Sequence, residues 1–247
     1  MRIGIIGVGN IGRSLARNLG RSGHDVKVAN SRGPQTIPAD VLTEGVRAGT
    51  VAEAAADVDA LILSIPLSSI PRIAPAVAGL ASSVTVIDTS NYYPLRDGED
   101  LLQPGQVESE WVIGRLGRPV AKAWNSIGSA SLAEKGRPSG AADRVALPVA
   151  ADRPQDRELA MALVDDSGFD AYDAGPIAQS WRQQPGTPCY GTDLALDELP
   201  GALAAADPER APRRRDLIVA AIQEKVGDST TNPSSDWSVA LARLINM

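Results

Sequence analysis

The chain of 247 residues is long enough to bury a sizeable core and is typical of one or two domains. Hydrophobic residues make up 43% and charged residues 22%, as in an ordinary soluble globular protein. The net charge of −6 argues against broad binding to nucleic acids or anionic membranes, although it is compatible with a local basic pocket. We therefore expect neither a nucleic acid nor a membrane as a partner.

The single cysteine, Cys189, has no second cysteine for an internal disulfide, which favours a reducing compartment. The first residues, MRIGIIG, predict a strand and lack the features of a signal peptide. No run of about 18 apolar residues occurs, so no membrane span is predicted. We therefore expect a cytoplasmic protein.

The first half of the chain alternates short apolar runs with helical periodicity, which is the pattern of βαβ units. A buried first strand is predicted around 3–6, and the next helix carries an apolar face of Ile11, Leu15 and Leu19. The further predicted strands cover 26–28, 59–66, 84–91, 119–126, 143–152 and 168–176, with one helix near 70–80 and another between the last two strands. The pattern predicts an α/β fold of the Rossmann type, with a doubly wound, mostly parallel sheet.

The amino-acid composition changes after Pro176, where a loop rich in Gly, Pro and Gln begins. A helix is predicted near 217–222, and a last apolar helix near 237–245 with Ser234 or Ser235 as its N-cap. We therefore predict a dinucleotide-binding domain over 1–176 and a small helical region over 177–247, which completes the second ligand's site or a dimer interface.

A G-x-G-x-x-G motif lies between the first predicted strand and the first helix, within one βαβ unit. In this context the first glycine permits the tight turn, the second lets the backbone approach a pyrophosphate, and the third lets the helix pack on the strand. The helix N-terminus then presents unpaired N–H groups to the phosphates. The predicted pyrophosphate loop is Gly7, Val8, Gly9, Asn10, Ile11 and Gly12.

The end of the second strand has no acidic residue at the place where one usually binds the ribose 2′-hydroxyl of NAD. That place holds Asn30, Ser31 and Arg32, and the nearest acid, Asp25, begins the strand instead. A guanidinium and a hydroxyl suit a 2′-phosphate, so this tip favours NADP(H) over NAD. The alternative is a solvated loop arginine.

Residues for acid–base or metal chemistry are scarce. His24 is the only histidine and is predicted to lie on the surface, which together with the single cysteine leaves no zinc site and no catalytic triad. The carboxylate pairs Asp57/Asp59 and Asp165/Asp166 are predicted to be solvated. We therefore assign no catalytic acid, base or metal ligand.

The predicted strand ends are small and polar. Ligands of a doubly wound sheet bind beyond the carboxyl ends of its strands, and the residues there are Ser64, Ile65, Pro66, Thr89, Ser90, Asn91, Trp124, Asn125 and Ser126. Hydride transfer between two ring systems needs alignment and exclusion of water more than a strong acid or base. The small number of candidate catalytic residues is therefore compatible with a hydride transfer.

Five segments together resemble the coenzyme F420-dependent NADP oxidoreductase family: MRIGIIGVGNIG, NSR, IDTSN, KAWNSIG and GFDAYDAGP. The resemblance covers 1–176, and the reductase domain of the STEAP metalloreductases is similar in the same way. It implies a Rossmann domain, usually dimeric, that moves a hydride between NADP(H) and a deazaflavin. It also implies that Ser31 and Arg32 bind the 2′-phosphate and that Asn125 lies near the nicotinamide.

The segment 180–191 departs from the family's pattern, and this region should wall the pocket of the hydride acceptor. Coenzyme F420, a flavin, a quinone or another small acceptor therefore stays open. Trp181, Arg182, Gln183 and Tyr190 suit contacts with a flat ring, as do Trp124 and Ser126, although Trp181 and Tyr190 are equally suited to packing. Two other hypotheses are a reductase of imines, pyrrolines or hydroxyacids, and a non-catalytic NADPH-sensing protein.

Overall fold

The computed structural model describes residues 1–227, 231 and 233–247. Within these residues the strands are β1 Arg2–Ile6, β2 Asp25–Ala29, β3 Val46–Ala48, β4 Ala60–Leu63, β5 Thr85–Asp88, β6 Ala121–Lys122, β7 Ala146–Ala151 and β8 Asp170–Asp173. The α-helices of the same part of the chain are α1 Asn10–Arg21, α2 Val51–Ala55, α3 Ile70–Ala78, α4 Pro94–Asp97, α5 Glu108–Leu116, α6 Ser129–Glu134, α7 Pro154–Asp166, α8 Leu199–Ala204, α9 Ala211–Val226 and α10 Ser235–Asn246.

The strands form one sheet in the order β3-β2-β1-β4-β5-β6-β7-β8, and all neighbours are parallel except β6 and β7. Ile3 of β1 pairs with Val26 of β2 on one side and with Ala60 of β4 on the other. The chain thus moves outwards from β1 to β3 and then in the opposite direction from β4. This confirms the predicted doubly wound, mostly parallel Rossmann sheet, in which ligands bind where the order reverses.

Helices cover both faces of the sheet, which explains why the central strands are apolar runs without alternation. On one face Ile5 and Leu15 belong to a core that includes Trp124. On the other face Ile6 belongs to a second core with Trp111. Because successive side chains of a strand point to opposite faces, neighbours such as Ile5 and Ile6 stabilise different layers.

The region after Pro176 is mainly helical, as predicted. Its first segment, Ile177–Gln183, is a 3-10 helix packed beside α5 and β7. The helices α9 and α10 pack on each other and leave Leu217 and Leu244 exposed at 49% and 82%. Ser234 is the N-cap of α10, although its side chain makes no capping hydrogen bond. The homodimer and the domain boundary at 176 stay predictions.

Some elements differ from the expectations. The strand predicted over 119–126 is reduced to the two residues of β6, because Trp124 adopts a φ of 56° and turns the chain. β3, α2 and α5 were not predicted. β3 has three residues and includes the charged Arg47, so its sequence has no recognisable strand periodicity.

The predicted surface position of the histidine needs correction, whereas the carboxylate pairs are largely exposed, as predicted. His24 is only 8% exposed and its Nε2 lies 3.0 Å from Asp166 Oδ2, so it is not a surface residue. Asp165 and Asp166 are exposed, although Asp165 also pairs with the buried Arg144, and the partly exposed Asp59 pairs with Arg2. The carboxylates were predicted to be solvated because they lie at helix or strand ends. Asp57 is exposed, as expected.

No helix of the described residues has the length and apolar character needed to cross a membrane. In the same part of the chain, no group of three or more His, Cys, Asp and Glu side chains is arranged to hold a metal ion.

A fully buried ion pair joins the ends of β5 and β6. Lys122 and Asp88 are both 0% exposed, with 2.7 Å between Lys122 Nζ and Asp88 Oδ2. Lys122 Nζ also donates to the carbonyl of Ser90, whose own N–H donates to Asp88 Oδ1 at 3.0 Å. The pair therefore fixes the turn that follows β5.

Lys122→Met should destabilise the protein by about 3–5 kcal/mol, because it leaves the Asp88 carboxylate buried without its counter-charge. The free energy of unfolding from chemical denaturation measures this loss. The double variant with Asp88→Asn should recover part of it, since no uncompensated charge then remains. A loss below about 1 kcal/mol for Lys122→Met would show that water reaches the pair.

Candidate dinucleotide and acceptor site

The glycine loop is packed too tightly for side chains at two of its three glycines. A Cβ on Gly7, whose φ is +106°, would lie 2.0 Å from the carbonyl oxygen of Ser64. A Cβ on Gly12 would lie 1.9 Å from the carbonyl oxygen of Gly7. A Cβ on Gly9 would meet no atom within 4 Å. Gly7 and Gly12 therefore bring loop, helix and β4 together, whereas Gly9 faces open space.

The N-terminus of α1 begins at this open space. Gly9 is its N-cap and supplies no capping side chain, and both Gly9 and Asn10 are exposed. The first N–H groups of a helix have no acceptor within the helix and favour a negative charge. The space at Gly9 and these N–H groups fit the pyrophosphate of a dinucleotide.

Three residues follow β2 directly, and they differ in their surroundings: Asn30 bonds within the turn, whereas Ser31 and Arg32 are exposed. Asn30 Oδ1 accepts from the N–H of Arg32 at 2.9 Å, and the Asn30 side chain also bonds to Thr36. This side chain therefore shapes the turn, which makes it less available to a ribose than predicted. Ser31 and Arg32 are exposed, and no hydrogen bond or ion pair of the Arg32 guanidinium occurs within the described part of the chain. Asp25 pairs instead with Arg47.

A cleft of about 610 Å³ runs from the start of α1 past the ends of β4, β5 and β6 to α9 and α10. It brings together many of the predicted site residues: Gly9, Asn10, Ile11, Ser64, Ile65, Pro66, Thr89, Ser90, Asn91, Trp124, Asn125 and Tyr190. Gly7, Val8, Gly12 and the tip residues Asn30, Ser31 and Arg32 lie outside its lining. The first three support the loop from behind.

Four residues predicted to contact the acceptor have other surroundings. The indole of Trp124 is fully buried in the core and donates to Ser167 Oγ at 3.0 Å. Ser126 is buried, and its carbonyl accepts from Gly191. Trp181 and Arg182 stack on each other outside the cleft, 4.9 Å from guanidinium carbon to ring centre. Packing and hydrogen bonds within the protein thus already occupy these side chains, and their contacts with an acceptor stay predictions.

Buried amides form a chain of hydrogen bonds that ends in the cleft. Gln183 Nε2 donates to Asn125 Oδ1 at 2.7 Å, and Asn125 Nδ2 donates to Asn91 Oδ1 at 3.1 Å. Asn91 Nδ2 then donates to Tyr190 Oη at 3.2 Å, and Tyr190 Oη lies 2.7 Å from Tyr93 Oη. Gln183, which was expected at the acceptor, instead anchors this chain from the core.

The charges on the cleft wall have one sign. Among the described residues that line it, Arg96 and Arg215 are the only charged ones. Arg96 pairs with Asp97 and Arg215 with Asp216, and neither carboxylate lines the cleft. A wall with guanidinium groups and no carboxylate favours anionic ligands.

A buried carboxyl group lies near this wall. Glu108 is 4% exposed, and its Oε2 has no hydrogen-bond partner in the described structure. Burial raises its pKa to about 7, although the charge of Lys122 opposes the shift. It begins α5, a helix that the sequence analysis did not predict.

Sequence reasoning missed Tyr93, Arg96, Arg215 and Glu108. Tyr93 follows Asn91 in the same turn after β5, so its closeness to that strand end was a usable signal. The two arginines and the glutamate lie on helices, and no local pattern separates them from solvated charges.

The comparisons with known proteins agree with this geometry. The family described as NADP oxidoreductase, coenzyme F420-dependent, matches residues 2–92. The protein YjhV of Escherichia coli K12 is 36% identical over 109 residues, which cover 41% of this chain and 79% of that protein.

Two crystal structures extend the similarity to the fold. A hypothetical protein from Sinorhizobium meliloti has a TM-score of 0.66 and 29% identity, over 78% of this chain and 94% of that one. A proposed F420-dependent NADP-reductase from Arthrobacter sp. FB24 has a TM-score of 0.56 and 22% identity, over 72% and 86% of the two chains.

A doubly wound sheet with a glycine loop and an open helix N-terminus at its switch point defines a dinucleotide-binding protein of the Rossmann type. The chain belongs to the family of coenzyme F420-dependent NADP oxidoreductases. It is therefore an NADP-dependent oxidoreductase.

Glu108 should make stability fall as pH rises. Its folded-state pKa of about 7 lies above the ordinary value of 4.5, so the native state binds more protons than the unfolded state between these values. Its contribution is present below pH 4.5 and lost as pH approaches 7, by roughly 3 kcal/mol. Denaturation from pH 4.5 to 8 should show a shallower fall for Glu108→Gln. An unchanged slope would contradict the raised pKa.

Proposed function

We propose that this protein transfers a hydride between NADP(H) and a small, flat, anionic acceptor of the flavin or deazaflavin type. The observation that supports this best is the continuity of the cleft from the helix N-terminus at Gly9 to the wall formed by α9 and α10. A single cleft brings two ring systems into contact without an intervening layer of protein. That arrangement suits direct hydride transfer, which needs alignment of the reacting atoms.

In this proposal the first half of the chain binds the dinucleotide. The N–H groups at the start of α1 bind the pyrophosphate, and Ser31 and Arg32 bind the 2′-phosphate. NADP(H), when bound, supplies the hydride chemistry at its nicotinamide. Asn125 and Asn91 hold polar atoms at the ends of β6 and β5, where they orient the ring.

The C-terminal region is proposed to hold the acceptor and to exclude water. Ile218 and Ile222 of α9 and Val239 of α10 line the cleft with apolar side chains. Arg96 and Arg215 lie on the same wall and favour an acceptor with a phosphate or carboxylate group. FMN and coenzyme F420 have that charge, whereas a quinone has none. The charges therefore favour the first two over a neutral acceptor.

A screen of acceptors tests the proposal. NADPH oxidation followed by stopped flow should be fast with FMN or coenzyme F420, and slower with menadione or a ferric chelate. Turnover only with menadione or a cyclic imine would favour another kind of reductase. NADPH binding without any turnover would favour the non-catalytic sensor.

Arg32→Glu should weaken NADPH binding by roughly 10- to 100-fold while changing NADH binding little, because a charge-assisted hydrogen bond to the 2′-phosphate contributes about 1.5–3 kcal/mol. Calorimetric titration with both nucleotides measures this selectivity. Arg115→Glu is the matched control, since Arg115 is exposed on α5 and stacks on Trp111 outside the cleft. Equal weakening of NADPH and NADH would show that Arg32 does not bind the phosphate.

A further inference from the structure

Two tyrosine hydroxyls meet on the wall of the cleft. Tyr93 follows the end of β5, and Tyr190 comes from the loop after the 3-10 helix Ile177–Gln183. Their oxygens lie 2.7 Å apart, and both residues line the cleft. Both residues are partly buried.

The amide chain behind the pair has a defined direction. Asn125 Nδ2 donates to the carbonyl of Gln183 at 2.8 Å, and Asn91 Nδ2 donates to the carbonyl of Asn125 at 2.8 Å. A carbonyl oxygen only accepts, so these two bonds fix which end of each amide carries the nitrogen. Asn91 therefore presents an N–H to Tyr190 Oη, and this oxygen acts as an acceptor.

One of the two hydroxyl protons of the pair therefore has no acceptor within the described residues. The bond between Tyr93 and Tyr190 uses one of the two O–H groups, whichever residue donates. The other O–H has no acceptor among the hydrogen bonds of the described residues, and it lies on the cleft wall. Burial also raises the pKa of both tyrosines above the ordinary value of 10, so both are protonated at neutral pH.

We propose that the Tyr93–Tyr190 pair donates this hydrogen bond, and then its proton, to the acceptor's oxygen or nitrogen that becomes negative as the hydride arrives. This inference rests on the proposed hydride transfer and adds catalytic residues to it. It assigns to the acceptor a carbonyl or a ring nitrogen conjugated to the ring atom that is reduced.

The hydride transfer and the proton transfer together conserve atoms and charge. The C–H bond of the dihydronicotinamide breaks, and its hydride forms a new bond to the ring atom of the acceptor that is reduced, a nitrogen in a flavin and a carbon in a deazaflavin. The acceptor's π electron pair moves to the conjugated oxygen or nitrogen, which takes the proton from the tyrosine pair. Water returns a proton to the pair, so NADPH, the acceptor and one proton give NADP⁺ and the reduced acceptor. The two hydroxyls stabilise the negative charge where it develops.

The double variant Tyr93→Phe/Tyr190→Phe tests the proposal, because either tyrosine alone retains an O–H. With NADPH and FMN, kcat should fall by roughly 10²–10³-fold while NADPH affinity is unchanged. Tyr92→Phe is the matched control. The single Tyr92 O–H is shared between the carbonyls of Gly98 and Glu99, each 2.8 Å away, and lies outside the cleft, so kcat should be retained.

A second measurement does not depend on turnover. p-Nitrophenolate carries a chromophoric oxygen anion, and the protein with NADP⁺ should bind it roughly 10- to 100-fold more tightly than the double variant does. Thermal unfolding of each variant verifies that it is folded. The phenolate should bind Tyr92→Phe as tightly as the unaltered protein.

The outcomes separate this inference from the proposed function. Wild-type turnover of FMN with unchanged kcat and phenolate affinity in the folded double variant would overturn the role of the tyrosines alone. No wild-type turnover with FMN, coenzyme F420 or menadione would overturn the proposed function and this inference with it. Equal loss of NADPH affinity and of kcat would assign the pair to cofactor binding and overturn its role as a proton donor.

Discussion

The buried ion pair between Lys122 and Asp88 is the interaction on which the geometry of the cleft depends. It joins the carboxyl ends of β5 and β6 and also holds the carbonyl of Ser90, so the turn after β5 has one conformation. Asn91 and Tyr93 follow in that turn and face the cleft. A buried pair of this kind is a poor source of stability, but its loss leaves a costly charge. We infer that it is kept for the shape that it imposes on the strand ends.

In the proposed function, the two ends of the cleft bind their ligands through different interactions. At the end proposed for the dinucleotide the backbone supplies the contacts, because Gly7 and Gly12 permit close packing and the start of α1 offers N–H groups. At the end proposed for the acceptor, side chains supply the contacts, through an amide chain that ends at Tyr190 and a wall of apolar helix residues. The first arrangement suits a cofactor shared by many proteins. The second suits a ligand particular to this one.

The sequence predicted the parts of the molecule that local patterns encode. The glycine motif and the apolar strands were recognisable because a tight turn and a buried parallel strand each restrict the residue types at consecutive positions. His24 was predicted wrongly for the opposite reason. Its burial depends on Asp166, which lies far away in the chain and reaches it only when α7 packs beside the sheet. Trp181 likewise looked suited to a ligand until its stacking on Arg182 was visible.

By itself, the sequence determined the Rossmann fold, the glycine loop between β1 and α1 and the absence of an acid beside Ser31 and Arg32, since each depends on residues that are neighbours in the chain. Only the tertiary structure decided that Tyr93 meets Tyr190, that the cleft wall carries arginines without carboxylates, and that Glu108 is buried. The physical reason is that burial, pKa and hydrogen-bond direction depend on groups brought together across the sheet. Residues that are distant along the chain share one dielectric environment only after folding.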